Sequence, residues 1–166
     1  YNSLLNNTWG GFNIALSTGA LFNNTTGNYN IASGAYSLSQ NTSGDDNIGI
    51  GYSSMENNTT GNGSIAIGRQ ALNQNSTGGY NVAIGFNAGF NETGSNKLYI
   101  ENSNSTTPLI YGEFDNDLLR INGTLDINNA YQFPMADGTA NQVLQTDGAG
   151  SISWASPTTG AEKIDW

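Results

Sequence analysis

The first 95 residues repeat with a period of 17, and no other feature narrows the possible folds as far. Asn13-Ile14-Ala15-Leu16-Ser17 returns as Asn30-Ile31-Ala32-Ser33-Gly34, Asn47-Ile48-Gly49-Ile50-Gly51, Ser64-Ile65-Ala66-Ile67-Gly68 and Asn81-Val82-Ala83-Ile84-Gly85. Three further rows keep the same register. They are Leu4, Leu21, Leu38, Met55 and Leu72; Asn7, Asn24, Asn41, Asn58 and Asn75, each followed by Thr or Ser; and Gly10, Gly27, Gly44, Gly61 and Gly78. Five copies run without an insertion.

A period of 17 is too short for a pair of packed helices, and the unit has no apolar face at helical spacing. It suits one turn of a β-roll or β-solenoid, in which a short strand, a turn, a second extended segment and a second turn form a rung. The fold class predicted is therefore all-β. Side chains alternate along a strand, so the two large residues of Asn-Ile-Ala-Ile-Gly share one face and the Ala takes the other. The bulky row Ile14, Ile31, Ile48, Ile65 and Val82 is expected inside the roll, with Leu21, Leu38, Met55 and Leu72. The small row Ala15, Ala32, Gly49, Ala66 and Ala83 invites close approach of another backbone and is expected to pack against another subunit. With about three sizeable apolar side chains per rung, one thread buries little against its backbone entropy. Bundling is expected to compensate, giving a parallel, intertwined homo-oligomer, with a trimer as the expected form. A monomeric solenoid with a full internal core is the alternative.

Composition agrees with a turn-dense β-structure. The chain has 26 Asn and 22 Gly, and its 36% hydrophobic and 10% aromatic content separates it from disordered polar tracts. Asn and Gly accept left-handed backbone, and Thr hydroxyls close local hydrogen bonds, so segments such as Asn58-Thr59-Thr60-Gly61 read as corners. The Asn-x-Thr/Ser triplets at Asn6, Asn24, Asn41, Asn58 and Asn75 are read as the same turn chemistry, not as glycosylation sites. His and Cys are absent, which removes thiol and imidazole catalysis, disulfides and the common zinc sites. Four basic against 13 acidic residues, a net charge of −9, oppose binding to nucleic acid or to an anionic membrane surface. No apolar run reaches membrane-spanning length, so no membrane insertion is expected of this segment.

After Gly94 the period stops. Strand-like runs at 97–101, 108–114, 118–121 and 124–127, with turn signals at Asp115-Asn116-Asp117 and Asn122-Gly123, predict a β-meander. A hairpin is predicted from Gln142-Val143-Leu144-Gln145-Thr146 and Ser151-Ile152-Ser153-Trp154 around Asp147-Gly148-Ala149-Gly150, with Phe133-Pro134 ahead of it. The expected domains are repeats over 1–95, a connector over 96–130, a hairpin neck over 131–155, and a linker with the start of a following domain over 156–166. Tyr1-Asn2-Ser3-Leu4 matches the second half of a rung, as in Tyr52-Ser53-Ser54-Met55, so the sequence is expected to be a window from a longer protein.

The unit in 64–72 and 81–88 resembles the head repeats of trimeric autotransporter adhesins, whose period is shorter. The longer unit, with 96–102 and 141–148, resembles bacterial surface and phage-tail-fibre-like proteins. These are common in gliding marine bacteria and often end in an endosialidase-type chaperone domain. The resemblance implies a β-roll trimer in an extracellular fibre, a cell-surface appendage or tail fibre used for attachment, with a host or prey cell surface or a glycan as its further partner.

The expected function is thus structural and adhesive. The alternative is a specific glycan- or ice-binding surface using the Thr25, Thr42, Thr59 row or the aromatics Trp9, Tyr29, Tyr80, Phe86 and Phe90. An enzyme is not expected. Only carboxylates remain as acid–base groups, and Asp45, Asp46, Glu56 and Glu92 form no suitable pair, since adjacent strand residues point to opposite faces. No catalytic, cofactor-binding or metal site is assigned. Asp115-Asn116-Asp117 and Asp137-Gly138-Thr139 carry oxygen ligands but match no calcium loop. Arg69 is read as solvated, with a pairing to Glu56 or Asp46 of another subunit as the alternative.

Overall fold

The computed structural model describes residues 2–127, 131–132, 134, 136, 138–149 and 151–157. Tyr1, Phe133, Asp137, Gly150 and residues 158–166, which carry some of the sequence expectations, lie outside the described residues. Among the described residues the chain is all-β, without a helix. Five three-residue strands recur at the sequence period: β1 (Ile14–Leu16), β2 (Ile31–Ser33), β3 (Ile48–Ile50), β4 (Ile65–Ile67) and β5 (Val82–Ile84). They stack in parallel as a β-solenoid of about five turns. β6 (Lys97–Ile100) adds to the stack in parallel, and β7 (Ile110–Glu113) and β8 (Leu118–Ile121) extend the same sheet in antiparallel. Equivalent repeat positions pair at each step: Ile14 opposite Ile31, Ala32 opposite Gly49, Ile50 opposite Ile67.

Rungs are joined on every side by hydrogen bonds that use the repeated residues. At one corner Asn24 Nδ2 donates to Asn7 Oδ1 (2.7 Å), Asn41 Nδ2 to Asn24 Oδ1 (2.8 Å) and Asn58 Nδ2 to Asn41 Oδ1 (2.8 Å). The same Asn41 amide also donates to Gly44 O (3.0 Å), closing its own turn. At the strand entrance Asn13 Oδ1 accepts from Asn30 N (2.9 Å) and Asn30 Oδ1 from Asn47 N (3.0 Å), while Asn30 Nδ2 reaches Gly44 O (2.8 Å). These Asn side chains replace the water that a buried backbone group would otherwise require. Gly44 is needed because a Cβ there would lie 2.4 Å from Gly61 O and 2.5 Å from Asn41 Oδ1.

Facing the strands is a wall of left-handed corners. Leu21, Leu38, Met55 and Leu72 have φ between 50° and 52° and are fully buried. Left-handed backbone costs an L residue about 1–2 kcal/mol; burying such a side chain returns about 1.5–3 kcal/mol, which offsets it. The wall lies one hydrogen bond from the strands: Ser37 Oγ donates to Gly49 O and Ser54 Oγ to Ala66 O, each at 2.9 Å.

That narrow gap reverses the expected assignment of the strand faces. Ala32, Gly49, Ala66 and Ala83 are buried inside the rungs and Ala15 is half-buried, so the small row packs on the chain's own Leu wall and not on another subunit. A Cβ on Gly49 would already lie 2.5 Å from Ser37 Oγ and 3.4 Å from Leu38 Cδ1, so an Ile cannot enter. The bulky row therefore points outward. Ile14 is 48% exposed, and Ile31, Ile48, Ile65 and Val82 are half-buried on the outer face. Only Leu21, Leu38, Met55 and Leu72 of the expected rung core lie in it.

The chain divides into two compact units, Tyr1–Asn122 and Gly123–Trp166. Residues 97–121, expected as part of a separate connector, belong to the sheet of the repeats. In the second unit β9 (Asp126–Ile127) pairs with β10 (Tyr131–Gln132), and β11 (Val143–Thr146) pairs antiparallel with β12 (Ile152–Ala155). The Asp147 carboxylate closes the turn of that hairpin, accepting from Ala149 N (2.7 Å) and Ser151 N (3.0 Å), and these bonds hold its carboxyl below the usual range. Trp154 Nε1 donates to Ala136 O (2.8 Å).

Candidate functional site

The outer face of the solenoid sheet presents a regular apolar surface in the first unit. One row runs Ile14, Ile31, Ile48, Ile65, Val82, Leu98; two residues on runs Leu16, Ser33, Ile50, Ile67, Ile84, Ile100. Adjacent strands lie about 4.8 Å apart, so the rows form two parallel ladders, apolar at every level except Ser33. Leu16 is 59% exposed, and Ile50, Ile67 and Ile84 are each close to 40%. Exposed apolar ladders of this length mark interaction surfaces more often than plain solvent-facing sheet.

The other candidate residues take different positions. Thr8, Thr25, Thr42 and Thr59 each donate the hydroxyl to a carbonyl one rung on, at 2.8–3.0 Å. This row therefore fastens rungs and presents no free hydroxyl array. Phe12 and Tyr29 stack face to face at 5.0 Å across one rung step, and Tyr80 lies over Gly63. Trp9 is exposed, Phe86 exposed and Phe90 half-buried. Arg69 sits 5.3 Å above the Tyr52 ring, a cation–π contact in place of a carboxylate pairing. Asp45 is part of a ladder, its Oδ1 accepting from Asn28 N at 2.6 Å. Glu56 accepts from Asn73 Nδ2 at 3.3 Å. Asp115, Asn116 and Asp117 form the β7–β8 turn, where Asp115 lies 3.9 Å from Lys97 Nζ. Among the described residues no three acidic side chains converge as a metal would need.

At the end of the stack the pattern changes, and sequence reasoning missed its key residue. Tyr99 occupies the inward row, opposite Ala83, and packs on the end of the core. Gly89 falls where the wall would carry another Leu; a Cβ there would lie 3.0 Å from the Tyr99 ring and 3.1 Å from Leu72 Cδ2. Small strand residue with large wall residue has become large strand residue with Gly. That paired exchange, 17 residues after Leu72, was the available signal.

Around Tyr99 the chain collects polar groups. Tyr99 OH donates to Glu92 Oε2 (2.5 Å), and Glu92 Oε1 accepts from Gly94 N (2.5 Å). Tyr111, edge-on to Tyr99 at 5.4 Å, donates to Glu113 Oε1 (2.7 Å). Burial raises the Tyr99 phenol well above its ordinary value, with Glu92 adding to the effect, and burial together with Glu113 pushes Tyr111 up to about 12. The Glu113 carboxyl is held low, chiefly by the Tyr111 hydroxyl and then by Asn116, with Lys97 at 3.7 Å also favouring the anion. No protein-family model, curated protein or solved structure matches the chain.

Proposed function

We propose that the chain is a structural and adhesive segment of an extracellular fibre, a surface appendage or tail fibre, that packs against parallel copies of itself. The outer Ile ladders carry this reading. A second copy presents the same ladders at the same rung spacing, so two copies match rung for rung without a change of register. Charge favours close packing too. Arg69 is the one cation of the repeats, against Asp45, Asp46, Glu56 and Glu92, and none of the five lies in the ladders. A trimer remains the assembly proposed, with the contact moved from the Ala row to the Ile rows. A cell surface is the proposed partner of the assembled fibre. Among the described residues, no helix is long and apolar enough to cross a membrane.

The experiment is sedimentation of the purified chain and of an Ile50→Ser/Ile67→Ser variant. The parent should sediment as an oligomer, and the variant should shift toward monomer while keeping its β-sheet circular dichroism. A parent that stays monomeric at every concentration would reject self-packing. The ice-binding alternative loses support from the committed Thr hydroxyls.

A further inference from the structure

We propose that the capped end of the solenoid binds a neutral saccharide in the groove divided by Tyr99. Two adjoining cavities meet at this ring and at Thr106. One, about 230 Å³, lies between the last rung at Glu92 and the segment carrying Asn104 and Thr106. The other, about 250 Å³, is bounded by Tyr111, Glu113, Arg120 and Asn122. Each is smaller than the roughly 300–1,000 Å³ of a pocket for a larger organic ligand, which suits one sugar ring apiece.

The lining chemistry selects the ligand. A sugar ring has apolar C–H faces and hydroxyls that both donate and accept. Tyr99 and Tyr111 supply aromatic surface, and their 71° interplanar angle offers one edge and one face, so the pair cannot sandwich a flat aromatic ligand. Glu92 and Glu113 supply acceptors that the tyrosine hydroxyls already hold in fixed orientation. The donors are open. Among the described residues the Arg120 guanidinium makes no hydrogen bond or ion pair; it lies over the Tyr111 ring at 5.6 Å. The Thr106 hydroxyl is likewise unbonded. Arg120 in the lining and Lys97 beside Glu113 balance the two carboxylates, so the groove favours neither an anion nor a cation, and a neutral polyol meets acceptors and donors together without desolvating a charge of its own.

This inference names a ligand class and a place for the attachment function proposed above, but the groove is formed within one chain and does not require assembly. The test is an array of neutral hexose oligosaccharides probed with the full chain, followed by calorimetric titration of the best binder. Arg120→Ala and Tyr111→Ala should each weaken that binder about tenfold or more, with circular dichroism unchanged, while Tyr29→Ala and Tyr80→Ala should leave it bound. Absence of binding at millimolar saccharide overturns the proposal. So does binding that persists in both groove variants, or binding lost in the Tyr29 or Tyr80 variant. Sedimentation of the same samples reads self-packing separately, so either idea can fail alone.

Discussion

The repeat stack and its cap meet the same physical demands by opposite means. In the stack, backbone bonds and Asn side chains that recur one rung later tie each level to the next, and the interior is filled by Ala against Leu. In the cap, strands turn antiparallel, Tyr99 packs on the end of the core, and Lys97, Glu113 and Arg120 bring charge onto the strands themselves. A periodic interior must accept the same residue at every level, which favours small, interchangeable parts. A terminus is built once and admits unique, larger and ionisable ones. Hence the stack offers a long uniform surface, and the cap offers a groove.

The largest test of the contrast is Gly44→Ala. The added methyl would meet Gly61 O and Asn41 Oδ1, and neither can yield without parting the rungs. Loss of the cooperative thermal transition is expected, followed by circular dichroism; an unchanged transition would mean that the corners are looser than the ladder implies.

Next is Asn41→Ala against Asn122→Ala. Asn41 donates to Asn24 Oδ1 and Gly44 O and accepts from Asn58 Nδ2, all buried. Its removal should cost about 3 kcal/mol by leaving several buried groups unpaired. The Asn122 side chain in the cap makes one part-buried bond, to Pro108 O, and its removal should cost about 1 kcal/mol. Equal costs in chemical denaturation would erase the distinction between periodic and unique bonding.

The Ile50→Ser/Ile67→Ser variant should lower monomer stability by about 1 kcal/mol per site while removing association. If denaturation shows a far greater loss in the dissociated chain, these side chains serve the fold and not a partner.

The smallest effect concerns alkali. The Tyr99 and Tyr111 phenols are raised when folded, so their contribution is complete below the unfolded value near 10. It fades as pH rises through about 12, where Tyr111 ionises. Tyr99→Phe should remove part of the late-ionising tyrosine absorbance and flatten the alkaline loss of stability. A titration identical to the parent would place Tyr99 outside this coupling.

The period, the all-β class, the strand positions and the corner residues were legible because each rung repeats the same local requirements. Asn and Gly at fixed spacing announce turns whatever lies around them. Alternation also showed that Ile14 and Ala15 face opposite ways. It did not show which way is in. That was decided by the distance between strand and wall, set by Ser37 and Ser54 hydroxyls and by Leu38 and Met55 in left-handed backbone, a conformation their residue types do not advertise. Tyr99, Glu92 and Tyr111 looked unrelated in the chain, since their neighbourhood exists only once the sheet reverses direction. The sequence by itself determined the rung, because a rung is local. The tertiary structure decided the inside, the outside and the end, because these depend on how closely two walls approach and on what stops the stack.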